Sequence, residues 1–337
     1  MKNLTWQNPE QLFVAQVLIN KVKSKCCGIK VILTDSTNHK LPPCVATIGC
    51  FDGVHRGHRY LIRQVSETAK REGLCSALIT FPVHPRQVMH ADYQPQLLSC
   101  LKQKEELLSF TSADYCLMLP FTEALSQLTA YEFMRLLHEE YHVQTLIIGY
   151  DHRFGHNRSE GFENYCKYGK ELGMEVVQAK ALTEDGQSIS STLIRELLKK
   201  GDVKKANQYL GYSYYISGTV IDGYKVGRKL GFPTANLKPS CAEKLIPETG
   251  VYAVYAYIGN DTYPGMLNIG YRPTLNNGKD MSIEVHLIDF NDDIYYKEMK
   301  IEFVSRIRPE MKFEDINALT AQLNKDKAAI ARLLASR

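Results

Sequence analysis

The chain has 337 residues, 44% hydrophobic and 23% charged, with a formal net charge of +4. That length holds two cores, the composition is that of an ordinary globular protein, and so mild a charge without a long Lys/Arg run excludes the usual profile of a nucleic-acid binder. No apolar run reaches the length of a membrane span, and residues 1–12 lack a hydrophobic signal core, so no membrane partner and no secretory route are expected. The 9 cysteines are odd in number and scattered, with only Cys26 and Cys27 adjacent and no CxxC pair. This pattern predicts reduced thiols in a cytoplasmic protein, with neither a structural disulfide nor a zinc site.

In chain order, residues 1–43 carry only a weak helical pattern at 11–22, which leaves open whether they pack on a domain or extend from it. From Cys44 the pattern sharpens. A β-branched apolar run at 44–48 leads into Gly49-Cys50-Phe51-Asp52-Gly53-Val54-His55-Arg56-Gly57-His58, and a helical pattern at 59–70 leads out, ended by Gly73. A strand, a tight glycine loop and a helix N-terminus follow from that order. Unpaired N–H groups and positive dipole at such a helix end suit a phosphate. His55 and His58 at its entrance are suited to brace phosphate oxygens as charge builds. The plainer alternative is a tight turn with capping or surface histidines.

Further apolar strands are expected at 75–81, 115–120, 145–150 and 174–179, and helices at 101–110, 130–140 and 162–172. Unalternating strands separated by helices predict a parallel sheet covered on both faces. Such sheets bind ligands at the carboxyl ends of their strands. There lie the glycine loop, Phe81-Pro82-Val83-His84-Pro85-Arg86 and Gly149-Tyr150-Asp151-His152-Arg153-Phe154-Gly155, with the turn Ser190-Ser191-Thr192 opening another helix. Neither a Walker A pattern nor a GxGxxG fingerprint occurs.

After Gly201 comes a short helix at 203–210, then short aromatic and β-branched runs at 214–220, 252–258, 264–269, 283–290 and 298–306. Turn residues at 259–261, 276–278 and 291–293 separate them. This predicts an antiparallel barrel, closed by a helix at 313–334. The division expected is residues 1–200 and 201–337.

The barrel half holds Gly223-Tyr224-Lys225-Val226-Gly227-Arg228-Lys229-Leu230-Gly231-Phe232-Pro233-Thr234-Ala235-Asn236. Gly223, Gly227 and Gly231 would let backbone N–H groups approach a phosphate. The Thr234 hydroxyl and Asn236 amide oxygen are hard donors suited to Mg²⁺. Read alone, a glycine-rich loop without a ligand fits equally well. On the strand at 283–290, Ser282, Glu284 and His286 share one face and Ile283, Val285 and Leu287 the other. The commoner case for Glu284 is an ordinary solvated strand residue, yet a carboxylate opposite such a loop is what phosphorylation of an alcohol needs as a general base.

Two sets of motifs are recognisable. Phe51-Asp52-Gly53-Val54-His55-Arg56-Gly57-His58 with Ile189-Ser190-Ser191-Thr192-Leu193-Ile194-Arg195 resembles the HxGH and ISSTxxR signatures of the nucleotidylyltransferase superfamily. Gly227 to Asn236, the strand 282–290 and Arg306-Ile307-Arg308 resemble riboflavin kinase. Together, from about Cys44 onward, the chain resembles the bacterial bifunctional riboflavin kinase/FAD synthetase family.

The resemblance implies a Rossmann-like parallel-sheet nucleotidylyltransferase domain before a β-barrel kinase domain. It implies transfer of the ATP γ-phosphate to riboflavin, giving FMN, and of AMP to FMN, giving FAD and pyrophosphate. Carried over by motif, Glu284 is the kinase base, Thr234 and Asn236 hold Mg²⁺, and Gly223, Gly227, Arg228 and Gly231 bind nucleotide. In the first half His55, His58 and Arg195 are catalytic, and Gly49, Phe51, Gly53, Asp151, Ser191 and Thr192 bind nucleotide. Phe154, Arg158 and Arg308 contact flavin. His152 stands where the family usually has an aromatic residue, Cys50 where Asn or Thr is more familiar, and the N-terminal extension is longer. A transferase for another phosphorylated acceptor is the first alternative, against which the kinase-like half argues. A flavin binder without catalysis is the second, against which His55, His58, Thr234, Asn236 and Glu284 argue. The sequence does not give the oligomeric state.

Overall fold

The computed structural model of the chain describes residues 30–33, 41–89, 96–156, 158–223, 227, 231–273 and 279–335. The helical pattern at 11–22, the turn at 276–278 and Arg228 lie outside them. The described residues of Met1–Pro95 and Leu101–Ser188 form one compact unit, and Gln96–Cys100 with Ile189–Arg337 form a second.

The first unit holds six strands, β1 (Lys30–Leu33), β2 (Cys44–Ile48), β3 (Cys75–Thr80), β4 (Tyr115–Met118), β5 (Val143–Ile148) and β6 (Glu175–Gln178). They lie in the order β1-β4-β3-β2-β5-β6, and every pairing is parallel. All residues of β2 are buried, as befits a central strand with helices on both faces. The helix α1 (Arg56–Glu72) buries Ile62, Val65 and Ala69 along one stripe and stops at Gly73, whose φ of 68° closes it in the left-handed conformation. The helices α2 (Pro85–Met89), α3 (Leu101–Ser109), α4 (Glu123–Ser126), α5 (Ala130–Glu139) and α6 (Phe162–Leu172) complete the layers. A hairpin follows, β7 (Thr183–Glu184) and β8 (Gln187–Ser188).

From β2 the chain builds β3 and β4 to one side, then β5 and β6 to the other. The direction reverses between β2 and β5, so their following loops flank the crevice where open α/β sheets bind ligands.

The second unit begins with α7 (Ser191–Lys199) and α8 (Val203–Leu210). Next come β9 (Tyr215–Ile221), β10 (Ala235–Pro239), β11 (Gly250–Ile258), β12 (Asp261–Pro273), β13 (Lys279–Leu287) and β14 (Glu298–Arg308). These strands close a barrel in the order β10-β13-β12-β11-β14-β9. The last helix, α9 (Ile316–Ala335), lays Ile330 and Leu334 against Val251, Ala253 and Met266. Full burial of a side chain such as Ile330 contributes about 1.5–3 kcal/mol.

The segment Gln96–Cys100 joins this unit through backbone pairing: Leu97 N–H donates to Glu243 O at 2.7 Å, and Leu245 N–H to Leu97 O at 2.9 Å. The buried Lys244 ammonium donates to Leu98 O at 2.6 Å and lies 4.3 Å from the Tyr214 ring centre.

The parallel-sheet-plus-barrel architecture matches the expectation. Four particulars differ. Cys100 and Cys241 form a disulfide, which corrects the expectation of none: the pairing joins positions 141 apart in sequence, and no local spacing reveals it. The strands β1 and β10 and the β7–β8 hairpin lie outside the expected set, being short or lying within loop-like sequence. The strand β6 is half-exposed rather than buried, because it forms the sheet's edge. The helix α7 packs within the second unit, whereas the sequence division groups it with the first.

Candidate active sites

In the first unit, the β2–α1 loop turns through three left-handed residues, Phe51 (φ 48°), Gly53 (φ 78°) and Val54 (φ 37°). For a β-branched residue such as Val54 this is a strained conformation, costing about 1–3 kcal/mol and typical of ligand clamps. Gly49 leaves room for the buried Phe51 ring, since a Cβ there would stand 3.3 Å from Phe51 Cζ. His55 caps α1: its Nδ1 accepts from the His58 N–H at 3.2 Å. The imidazoles of His55 and His58 stack with centres 3.6 Å apart, and Phe51 meets His58 edge-on at 5.2 Å. Capping thus coexists with a histidine pair at the mouth of the loop.

The loop after β5 lies on the other side of the switch point. Asp151 and Arg158 are exposed. Arg158, at φ 50°, donates through Nε to Arg153 O at 3.1 Å. Burial, with Arg158 second, pushes the His152 pKa down to about 4, so its ring is neutral at neutral pH. Phe154 turns inward, stacked on Tyr165 at 4.2 Å, and its N–H donates to the Tyr165 hydroxyl oxygen at 3.1 Å.

Sequence reading missed Lys104, a buried cation on α3 whose Nζ donates to Phe81 O at 2.5 Å and to Cys50 O at 3.5 Å. It ties the glycine loop to the end of β3. Burial pulls its pKa below the ordinary 10.5, opposed by Cys50 and Asp52. A signal did exist: Lys104, Leu107 and Leu108 share the buried face of α3, a cation at an apolar phase.

The ISSTxxR residues belong to the second unit. Ser190 Oγ caps α7 by accepting from Leu193 N–H at 3.2 Å. Ser191 and Thr192 open its first turn, and Arg195 Nε donates to Gln96 O at 2.8 Å.

In the barrel, three distant stretches converge. The Thr234 hydroxyl donates to Glu284 Oε2 at 3.3 Å. Asn236 on β10 and Asn268 on β12 are the register partners of Glu284 on β13. Gly223 faces Asn236 so closely that a Cβ would stand 2.0 Å from its Nδ2. A Cβ at Gly227 would stand 2.3 Å from Phe232 O, and Gly231 turns at φ 81°. His286 donates from Nδ1 to Pro233 O at 2.9 Å, and burial lowers its pKa, keeping the ring neutral. Arg308 is engaged elsewhere: its Nε meets the buried Asp326 of α9 at 2.9 Å.

A FAD synthetase profile matches residues 37–193, and a riboflavin kinase profile matches residues 210–334. The bifunctional riboflavin kinase/FMN adenylyltransferase of Listeria monocytogenes is 37% identical over 284 residues, 84% of this chain and 90% of that protein. Its Escherichia coli K12 counterpart is 36% identical over 286 residues, again 84% and 90%. The chain belongs to the bifunctional riboflavin kinase/FMN adenylyltransferase family. The crystal structure of a protein from Streptococcus pneumoniae, named there a macrolide-efflux protein, superposes with a TM-score of 0.80 at 28% identity over 90% of this chain and 99% of that one.

Members of this family use ATP in both reactions, and the barrel constellation carries donors that suit a divalent cation. A hydroxyl and a carboxamide oxygen are hard ligands, two protein donors leave places for phosphates and water as Mg²⁺ prefers, and the missing Cβ of Gly223 lets the Asn236 carboxamide pack against the glycine backbone. The residues fit. Among the described residues no group of three His, Cys, Asp or Glu could hold a metal. No helix among them is long and apolar enough to cross a membrane.

Proposed function

We propose that the protein phosphorylates riboflavin to FMN in its barrel and adenylylates FMN to FAD in its nucleotidylyltransferase half, using ATP in both. The observation that carries this reading is the Thr234–Glu284 contact at 3.3 Å with Asn236 directly opposite. A ribityl hydroxyl is a poor nucleophile until its proton is removed. Glu284 accepts that proton, while Thr234 and Asn236 hold Mg²⁺, which neutralises phosphate charge when bound. Gly223, Gly227, Arg228 and Gly231 accommodate the nucleotide phosphates, and His286 fixes Pro233, the residue before Thr234.

The FMN phosphate needs no base, since a phosphomonoester with a second pKa near about 6 is mostly dianionic at neutral pH. It needs charge compensation and in-line placement. His55 and His58 provide the first, while Gly49, Phe51, Gly53 and Asp151 shape the nucleotide site; by motif, Ser191, Thr192 and the catalytic Arg195 are assigned to the same reaction. Arg158 is exposed toward solvent and available to flavin phosphate. The contacts of Phe154 with Tyr165 and of Arg308 with Asp326 support an indirect part for both, as braces of the flavin-facing segments. Functionally we assign residues 1–200 to adenylyl transfer and 201–337 to the kinase, in a cytoplasmic enzyme. The efflux in the name of the Streptococcus pneumoniae protein is not carried over, because the side chains gathered at both sites of this chain are suited to group transfer from ATP.

Incubation with riboflavin, ATP and Mg²⁺ tests the proposal. FAD, pyrophosphate and ADP are expected. A flavin held tightly but recovered unaltered would overturn it in favour of a binding protein.

A further inference from the structure

We propose that Arg56 binds an ATP phosphate in the adenylyltransferase site, and that the Glu184 carboxylate is a built-in competitor that ATP displaces. The inference rests on the reading of the first half as an FMN adenylyltransferase. Arg56 is the first residue of α1, between His55 and His58 of the signature. Its Nη1 lies 2.5 Å from Glu184 Oε2, and the two side chains remain 39% and 21% exposed.

A carboxylate on a guanidinium at a helix N-terminus occupies a place that suits a phosphate oxygen. Glu184 comes to that place on a defined support. Asp185 (φ 52°) and Gly186 (φ 73°) form the two-residue turn of the β7–β8 hairpin, the left-handed pair that Asp-Gly favours. Ahead of it, Gln64 of α1 holds Lys180 at two points: its Nε2 donates to Lys180 O at 3.1 Å, and its Oε1 accepts from Lys180 N–H at 2.9 Å. The segment from Lys180 to Glu184 is therefore tied to α1 at Lys180 by neutral hydrogen bonds and at Glu184 by charge. An entering polyphosphate competes only with the second contact. Exposed ion pairs are weak, and a triphosphate carries more charge than one carboxylate, so the exchange favours substrate. The carboxylate keeps the arginine placed between turnovers and lowers apparent ATP affinity by the strength of the pair.

The test is steady-state FAD formation from FMN with ATP varied, in the full-length protein with Mg²⁺. Glu184→Gln should lower the KM for ATP about 2–5-fold with little change in kcat. Arg56→Ala should raise that KM about tenfold. On the Arg56→Ala background, Glu184→Gln should have no further effect, because the competitor has nothing left to mask. The circular dichroism spectrum and thermal unfolding transitions of each preparation, set beside those of the parent, report folded protein. If Glu184→Gln does not fold, Arg56→Ala decides: an unchanged KM overturns the inference. An unchanged or raised KM in folded Glu184→Gln also overturns it, reducing the pair to a surface contact that steadies the hairpin. If the parent protein makes no FAD from FMN and ATP, it is the adenylyltransferase reading that fails.

Discussion

Thr234 and Glu284 stand 50 positions apart in sequence, yet the hydroxyl of one donates to the carboxylate of the other at 3.3 Å. The barrel makes this possible by pairing β10 with β13, which sets Asn236 opposite Glu284 in the same register. Glu284 and Asn236 are thereby carried on adjacent strands, with Thr234 just ahead of β10 and Gly223, Gly227 and Gly231 in the segment between β9 and β10.

If Glu284 accepts the ribityl proton, Glu284→Gln keeps the shape and removes the base. General-base loss typically costs about 10²–10⁴-fold in rate. Riboflavin binding should change little, and FMN supplied directly should still become FAD. Kinase and adenylyltransferase rates measured on one preparation check this. A kinase rate within a few-fold of the parent would reduce Glu284 to an ordinary strand residue.

The Cys100–Cys241 disulfide joins two cysteines of the second unit that are 141 positions apart, and the loop it closes includes Leu101–Ser188 of the first. Cross-links of this kind typically contribute about 2–4 kcal/mol. Reductant should lower the thermal midpoint by several degrees, and Cys241→Ser should lower it equally while abolishing the effect of reductant. An unchanged midpoint would mean that the bond contributes nothing to stability. In the cytoplasm proposed for the enzyme this bond runs against the redox balance, since glutathione and thioredoxin systems keep cysteines reduced there.

Lys104 gives a pH signature. Its folded pKa lies below 10.5 because burial disfavours the ammonium. Between the folded value and 10.5 the unfolded chain binds more protons, so stability from this group rises with pH. It is fully present above 10.5 and lost as pH falls through the folded pKa. The midpoint of the parent relative to Lys104→Met should therefore rise between pH 7 and pH 10. A constant difference would show that the amine titrates normally.

Much of this was legible in the sequence because local signals and global architecture agree. The pattern at 44–48 followed by the glycine loop gives β2, and the helix at 162–172 emerges with the expected bounds, since Gly173 ends it in the left-handed conformation at φ 74°. Strand phase put Glu284 and His286 on one face, and the register confirms that Glu284 faces the Asn236 strand. What stayed hidden depends on long-range pairing. Nothing near Cys100 announces Cys241. Lys104 sits at an apolar phase of α3, but its partners Phe81 O and Cys50 O come from distant stretches that only the fold brings to it. Phe154 and Arg308 carry family positions, but tertiary contacts with Tyr165 and Asp326 decide which way they point.

One chain with two separable ATP-dependent sites has a direct consequence for His58→Ala. The His58 ring stacks on His55 beside Phe51 in the first unit, so the defect should stay there. Product analysis of His58→Ala given riboflavin, ATP and Mg²⁺ should show FMN accumulating at a near-parental rate with FAD formation crippled. Equal loss of both products would contradict the two-site account.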